Sequence, residues 1–188
     1  MRKLIVQEWL SADGYAADEN GSTDFFGPSE EFEQADKELL AAMDSFDTIL
    51  LGANTYKLFV DFWPTTKSEK EIMANRINQT PKMVFSNSLD KVEWGKWNNA
   101  KQQKGDAVEA IKKLKQEPGK DLILWGSLSL FQSLLAAGQI DVLEIRTVPI
   151  ILGKGMRLFG ESDQIKLLNE ETKKYTNGIS LNRYTIKK

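Results

Sequence analysis

Thr48-Ile49-Leu50-Leu51-Gly52 is an unbroken apolar run closed by a glycine. A strand exposed on one face alternates apolar and polar residues; a continuous run marks a strand buried on both faces, as in a parallel sheet flanked by helices. Lys82–Ser86 and Leu122–Trp125 repeat that character. Between these strands Ser68 stands three residues before Glu71, and Asp106 three before Glu109. That spacing lets a side-chain oxygen and a following acid satisfy the free amides of a first helical turn, and it predicts helices running to Ile77 and Lys115. Upstream, Phe32, Ala35, Leu39, Leu40, Met43 and Phe46 recur at helical spacing and predict an amphipathic helix over 29–46. Glu30 and Glu31 suit its positive N-terminal end. After Trp125, a stripe of Leu128, Phe131, Leu134 and Leu135 predicts a further helix that Gly138 terminates.

Outward from this centre, the apolar run Leu4–Val6, with Trp9 and Leu10, reads as a first strand that leaves through Ser11-Ala12-Asp13-Gly14. The stretch 16–28, rich in Asp, Asn and Gly, reads as a long mobile loop. In the last third, Val142–Pro149 is a long strand, and Ile165–Tyr175 pairs with Ile179–Ile186 across Thr176-Asn177-Gly178, a hairpin signal. The expectation is an α/β fold in three layers, α/β/α, with a mostly parallel central sheet and an antiparallel C-terminal hairpin. With no repeat, linker or low-complexity tract, one domain is expected over residues 1–188.

Composition narrows the chemistry. Lys and Arg total 25 against 27 Asp and Glu, a net charge of −2, and no segment clusters cations, which argues against nucleic acid or an anionic membrane as partner. No stretch approaches the ~20 apolar residues of a membrane span. The opening MRKLIVQEWL has too short an apolar run for a signal peptide and contains Glu8, so a cytoplasmic location is expected. The chain has neither Cys nor His, which removes thiolate nucleophiles, Ser-His triads, Cys/His zinc sites and the usual general base near neutral pH. An enzyme of this composition takes its acid or base from Asp, Glu, Tyr, Lys or water, and no metal site is expected. A reaction whose hard step belongs to a bound cofactor fits, because hydride transfer asks mainly for positioning and one proton donor.

Three strand ends carry small or hydroxyl residues where a helix begins: Gly52-Ala53-Asn54-Thr55, Ser86-Asn87-Ser88 and Gly126-Ser127. Ligands of open α/β sheets bind outside the carboxyl ends of the strands, where free amides and helix dipoles attract phosphate, so three such ends point to a nucleotide. Each glycine is equally accounted for by a tight strand-to-helix turn. Neither GxGxxG nor GxxxxGK[ST] is present.

Taken in order, Ser-Ala-Asp-Gly-Tyr, Gly-Ala-Asn-Thr-Tyr, Ser-Asn-Ser, Trp-Gly-Ser and Pro149-Ile-Ile-Leu-Gly153-Lys-Gly155 with Phe159 resemble the dihydrofolate-reductase-like superfamily. The set is similar, more narrowly, to the C-terminal reductase domain of the bifunctional riboflavin deaminase-reductase and its stand-alone bacterial relatives. The resemblance covers nearly the whole chain. It implies an NADPH-dependent reductase, with NADH as the alternative, acting on a small pteridine-like or ribosylaminopyrimidine-like molecule in the manner of a 5-amino-6-(5-phosphoribosylamino)uracil reductase. It implies cofactor contacts from Gly52, Asn54 and Thr55 on the adenosine side, from Ser86, Asn87 and Ser88 near the ribose 2′-phosphate, and from Gly126 and Ser127 at the pyrophosphate. It also implies a homodimer, for which Val142–Ile151 offers an edge.

By the same resemblance Asp13 corresponds to a carboxylate near the nicotinamide and substrate. A carboxylate before Gly at a strand end is also an ordinary turn-former. In a substrate-facing role desolvation is expected to raise its pKa and make it a proton relay. Glu31 and Asp36 are expected on the solvated face of the first helix, and the lack of a buried acid there weighs against a true dihydrofolate reductase. Where the family often carries arginine this chain has Ala53 and Asn87, and Ser127 replaces a second glycine; these features also suit a nucleotide-binding protein that kept the fold without turnover. Trp63, Trp94 and Trp97 read as core lids or contacts and stay outside the site.

Overall fold

The structure is a computed structural model in which residues 1–27, 32–160 and 164–187 are described. In chain order the first half runs β1 (Leu4–Ser11), β2 (Tyr15–Ala17), α1 (Glu33–Ala42), β3 (Phe46–Gly52), α2 (Ala53–Val60), α3 (Ala74–Gln79) and β4 (Lys82–Phe85). The second half runs β5 (Ala100–Gln103), α4 (Ala107–Gln116), β6 (Asp121–Leu124), α5 (Leu128–Ala136), β7 (Val142–Val148), β8 (Met156–Arg157), β9 (Leu167–Lys174) and β10 (Ser180–Ile186).

Eight strands form one sheet in the order β5-β4-β3-β6-β1-β7-β10-β9, and β2 pairs with β8 apart from it. The six strands from β5 to β7 are parallel, while β10 runs antiparallel to both β7 and β9. Leu50 sits opposite Leu124 on one side and Met83 on the other, which is why β3 is apolar throughout. One face of the sheet, through Leu4, Val6, Leu50 and Leu124, packs on Ile111 of α4 and Phe131 and Leu134 of α5. The other, through Ile5, Ile49, Leu51 and Ile123, packs on Leu39 and Leu40 of α1, Tyr56 of α2 and Ile77 of α3. The chain therefore has the three-layer α/β/α arrangement with a mostly parallel centre and an antiparallel C-terminal hairpin.

Several local expectations need correction. The helix expected over 29–46 is shorter: α1 is followed by a 3₁₀ turn over Met43–Ser45, and Phe46 opens β3. Both Met43 and Phe46 are still buried, so their apolar spacing reported the core correctly and the element wrongly. Glu30 and Glu31 lie outside the described residues. Ser68 does not open a helix; its hydroxyl donates to Trp63 O at 2.6 Å, and α3 begins only at Ala74. Asp106 does cap, accepting from the amides of Val108 at 2.8 Å and Glu109 at 3.1 Å. The expected loop over 16–28 begins inside β2 and contains a 3₁₀ turn at Asp24–Phe26. Trp94 is a core residue, fully buried, with its indole N–H donating to Asn78 Oδ1 at 2.8 Å.

Candidate active site

The exits of β3 and β6 meet at the carboxyl edge of the sheet. Gly52 N donates to Gly126 O at 3.1 Å. A Cβ on Gly52 would run into Ser127 Oγ and lie 2.9 Å from Ser127 N; one on Gly126, whose φ is +64°, would run into Thr55 Oγ1. Both glycines are thus required by the approach of one turn to the other. The Gly126-Ser127 peptide is cis. Beside them the β4 exit is pinned by its own side chains: Ser86 Oγ accepts from the amides of Ser88 at 3.2 Å and Leu89 at 3.1 Å. Asn87 Oδ1 accepts from Gly105 N at 2.7 Å.

These three turns enclose a cavity of about 340 Å³ whose wall includes Gly52, Asn54, Ser86, Asn87, Ser88 and Ser127. Thr55 and Gly126, expected to share in cofactor contact, do not line it; they stand behind the wall, one against the other. Helices α2 and α5 start at the cavity, so their unpaired first amides face the same space.

Asp13 lies apart from this cavity, on the loop leaving β1. Its carboxylate accepts from Ser11 Oγ at 2.7 Å, Gly153 N at 2.8 Å and Leu152 N at 3.0 Å. These donors, the Ser11 hydroxyl foremost, hold its carboxyl down at about 2. The expected rise is not found, because three hydrogen bonds to the ionised form outweigh desolvation. Asp13 fastens the segment after β7 to the exit of β1.

Two other carboxyls carry the raised pKa. Glu8 shares the face of β1 that holds Leu4, Val6 and Leu10, and it accepts from Gly126 N at 3.2 Å. Desolvation pushes its carboxyl up to about 8, against the lowering effect of that backbone bond. Asp36, expected on a solvated face, is half-buried; desolvation and the negative charge of Glu71 push it up to about 6 against the pull of Arg146. The physical reason is the aromatic contact of Trp9 with Phe32, ring centroids 4.8 Å apart, which turns this side of α1 inward beside the buried Ala35. The expectation that Asp36 lies on a solvated face is therefore corrected.

Between these carboxyls runs a polar chain on the opposite face of β1. Trp125 Nε1 donates to Gln7 Oε1 at 3.0 Å and Gln7 Nε2 donates to Glu144 Oε2 at 2.9 Å. Glu144 also pairs with Arg183 and has Arg146 Nη1 at 3.8 Å. Arg146 is 3% exposed, lies over the Trp9 ring, and has no hydrogen-bond partner among the described residues for Nε or Nη1. Glu8, Gln7, Glu144 and Arg146 are not among the candidate residues that the sequence marks. A signal was present: Glu144 and Arg146 alternate within the otherwise mostly apolar Val142–Val148, and Glu8 follows Leu4 and Val6 at the strand period.

The family model of the RibD C-terminal domain matches residues 2–181. The chain belongs to that family. It is 27% identical over 182 residues to the uncharacterized protein YyaP of Bacillus subtilis, covering 95% of this chain and 92% of YyaP. A putative riboflavin biosynthesis protein from Shewanella sp. PV-4 superposes with a TM-score of 0.78 at 26% identity, covering 99% of each chain. Dihydrofolate reductase from Enterococcus faecalis superposes with a TM-score of 0.61 at 14% identity, over 99% of this chain and 97% of that one. The last likeness shows the dihydrofolate-reductase-like fold. Among the described residues no helix is long and apolar enough to cross a membrane.

The Glu8 environment predicts a pH dependence. Its carboxyl ionises near 4.5 when unfolded and near 8 in the fold, so the fold favours the protonated form and loses stability as pH rises through that interval. In Glu8→Gln the loss is absent. The melting temperature of the variant minus that of the wild type should grow between those two pH values and level off above them; a difference that is flat with pH contradicts this environment.

Proposed function

We propose that this chain is a reductase that delivers a hydride from a nicotinamide dinucleotide to a C=N or C=O bond of a pteridine-like or ribosylaminopyrimidine-like substrate. Membership of the RibD C-terminal domain family and the likeness to a putative riboflavin biosynthesis protein support a reductase of this type. The observation that carries the reading is the convergence of three strand-end turns on one cavity at the carboxyl edge of a parallel sheet, where such folds take nucleotides.

The residues present fit such a group. The cavity falls in the usual size range for small-molecule sites, its wall offers amides and hydroxyls, and two helix starts supply amide hydrogens and a positive dipole end for a pyrophosphate. In this reading Gly52, Asn54, Ser86, Asn87, Ser88 and Ser127 hold the nucleotide, while Thr55 and Gly126 hold the turns that carry them. The bound dinucleotide supplies the hydride. Asp36, on the first helix, holds its proton more tightly than an ordinary aspartate, and Asp13, ionised, positions the loop at the β1 exit. NADPH is the nucleotide that the family resemblance implies.

Asp36 also favours a second reading, a dihydrofolate-reductase activity, because a weakly acidic carboxyl on the first helix suits the amino and ring nitrogens of a pterin. Two measurements test these readings. Thermal unfolding with NADH or NADPH at a hundred times its dissociation constant should rise by roughly 5–11 °C, corresponding to ~2.7 kcal/mol of linkage; no rise with either overturns the reductase reading. Oxidation of the reduced nucleotide by dihydrofolate, falling about a hundredfold in Asp36→Asn, supports the second reading, and no turnover of dihydrofolate removes it.

A further inference from the structure

The polar wall of the strand-end cavity is built from uncharged groups. Asn54, Ser86, Asn87 and Ser88 line its β3 and β4 side, and Ser127 and Ser129, whose hydroxyls are 3.2 Å apart, line its α5 side. The two positions at which the family resemblance implies arginine are Ala53 and Asn87, and both are on this wall. The nearest cation along the chain, Lys104, is exposed and lines a neighbouring hollow of about 370 Å³ together with Asp106, Glu109 and Lys113.

Asn87 is held rather than free to swing. Its Oδ1 takes the Gly105 amide at 2.7 Å, which leaves Nδ2 as its remaining polar group, a donor on a residue that lines the cavity. Ser86 Oγ already accepts two backbone amides, so what remains to it is its own hydrogen. A neutral donor of this kind pairs well with a ribose hydroxyl. A 2′-phosphate is different: near pH 7 it carries close to two negative charges, and leaving water for a neutral wall costs it hydration that only cations or charge-assisted bonds repay. The two helix starts do not serve it, because in a dinucleotide they are taken by the pyrophosphate.

We propose that this cavity selects a dinucleotide whose adenosine ribose ends in a free 2′-hydroxyl, NADH over NADPH, with Asn87 as the residue that reads the 2′ position. The proposal rests on the reductase reading above and departs from the NADPH that the family resemblance implies.

Titration of the purified protein with NADH and with NADPH at physiological salt, followed by nucleotide fluorescence, tests it. NADH should bind about tenfold or more tightly than NADPH, the worth of one lost charge-assisted contact. Asn87→Arg, and independently Ala53→Arg, should narrow or reverse that ratio by strengthening NADPH, and Lys104→Ala should leave the ratio where it was. NADPH binding as tightly as NADH overturns the proposal while leaving the reductase reading intact, and so does a Lys104→Ala protein that loses NADPH selectively. An Asn87→Arg protein in which NADPH gains nothing overturns the assignment of Asn87. If neither nucleotide binds, the reductase reading and this proposal fall together.

Discussion

The contact between Gly52 and Gly126 is the constraint on which the rest of the site depends. It joins the exits of two adjacent parallel strands by a backbone hydrogen bond at a distance that leaves no room for a side chain on either residue. Because the strands are adjacent, the helices that follow them start side by side and then part to opposite faces of the sheet, α2 to one and α5 to the other. The cavity is the space left where they part. Its wall joins residues at the starts of these two helices, where first-turn amides have no partner within their own helix, to the Ser86–Ser88 turn after β4.

A second consequence concerns β1, the strand next to β6 on the other side. Near its end Glu8 stands behind the glycine turn, and on the opposite face Gln7 leads to Glu144 and Trp9 to Arg146, whose charge reaches Asp36 on α1. Buried polar groups in the centre of a sheet are costly unless paired. Here the pairing is nearly complete along Trp125, Gln7, Glu144 and Arg183; nearby stand two weakly acidic carboxyls and the Arg146 guanidinium, which faces Glu144 at 3.8 Å but has no hydrogen bond at Nε or Nη1 among the described residues. The hydrogen-bonded Asp13, held ionised, contributes rigidity at the same end of β1.

The parts of this arrangement that were legible in the sequence are those fixed by short-range chemistry. The strands at Ile49, Val84 and Ile123 are apolar because both faces are covered; the α4 start is marked by Asp106, which caps it; the C-terminal hairpin turns at Asn177-Gly178. Strand β5 was not legible, since Ala-Lys-Gln-Gln has no strand signature and is held at the sheet edge by pairing with β4. Ser68 had the spacing of a cap, but a carbonyl five residues back, Trp63 O, competed successfully for its hydroxyl. In the site, the turns were visible as small residues after strands, whereas the altered acidity of Glu8 and Asp36 was not. Those depend first on desolvation by the fold, and for Asp36 also on the charge of Glu71, which is far off in the chain and brought near only by the fold.

We read the cavity at the meeting of these turns as a dinucleotide site. The most direct measurement is a crystal structure of the protein grown with NADH. The account predicts adenosine against Ser86, Asn87 and Ser88, pyrophosphate at the starts of α2 and α5, and the nicotinamide ring reaching the exit of β1 near Glu8. Nucleotide bound instead in the hollow lined by Lys104, Asp106 and Glu109, or elsewhere on the surface with this cavity empty, would contradict it.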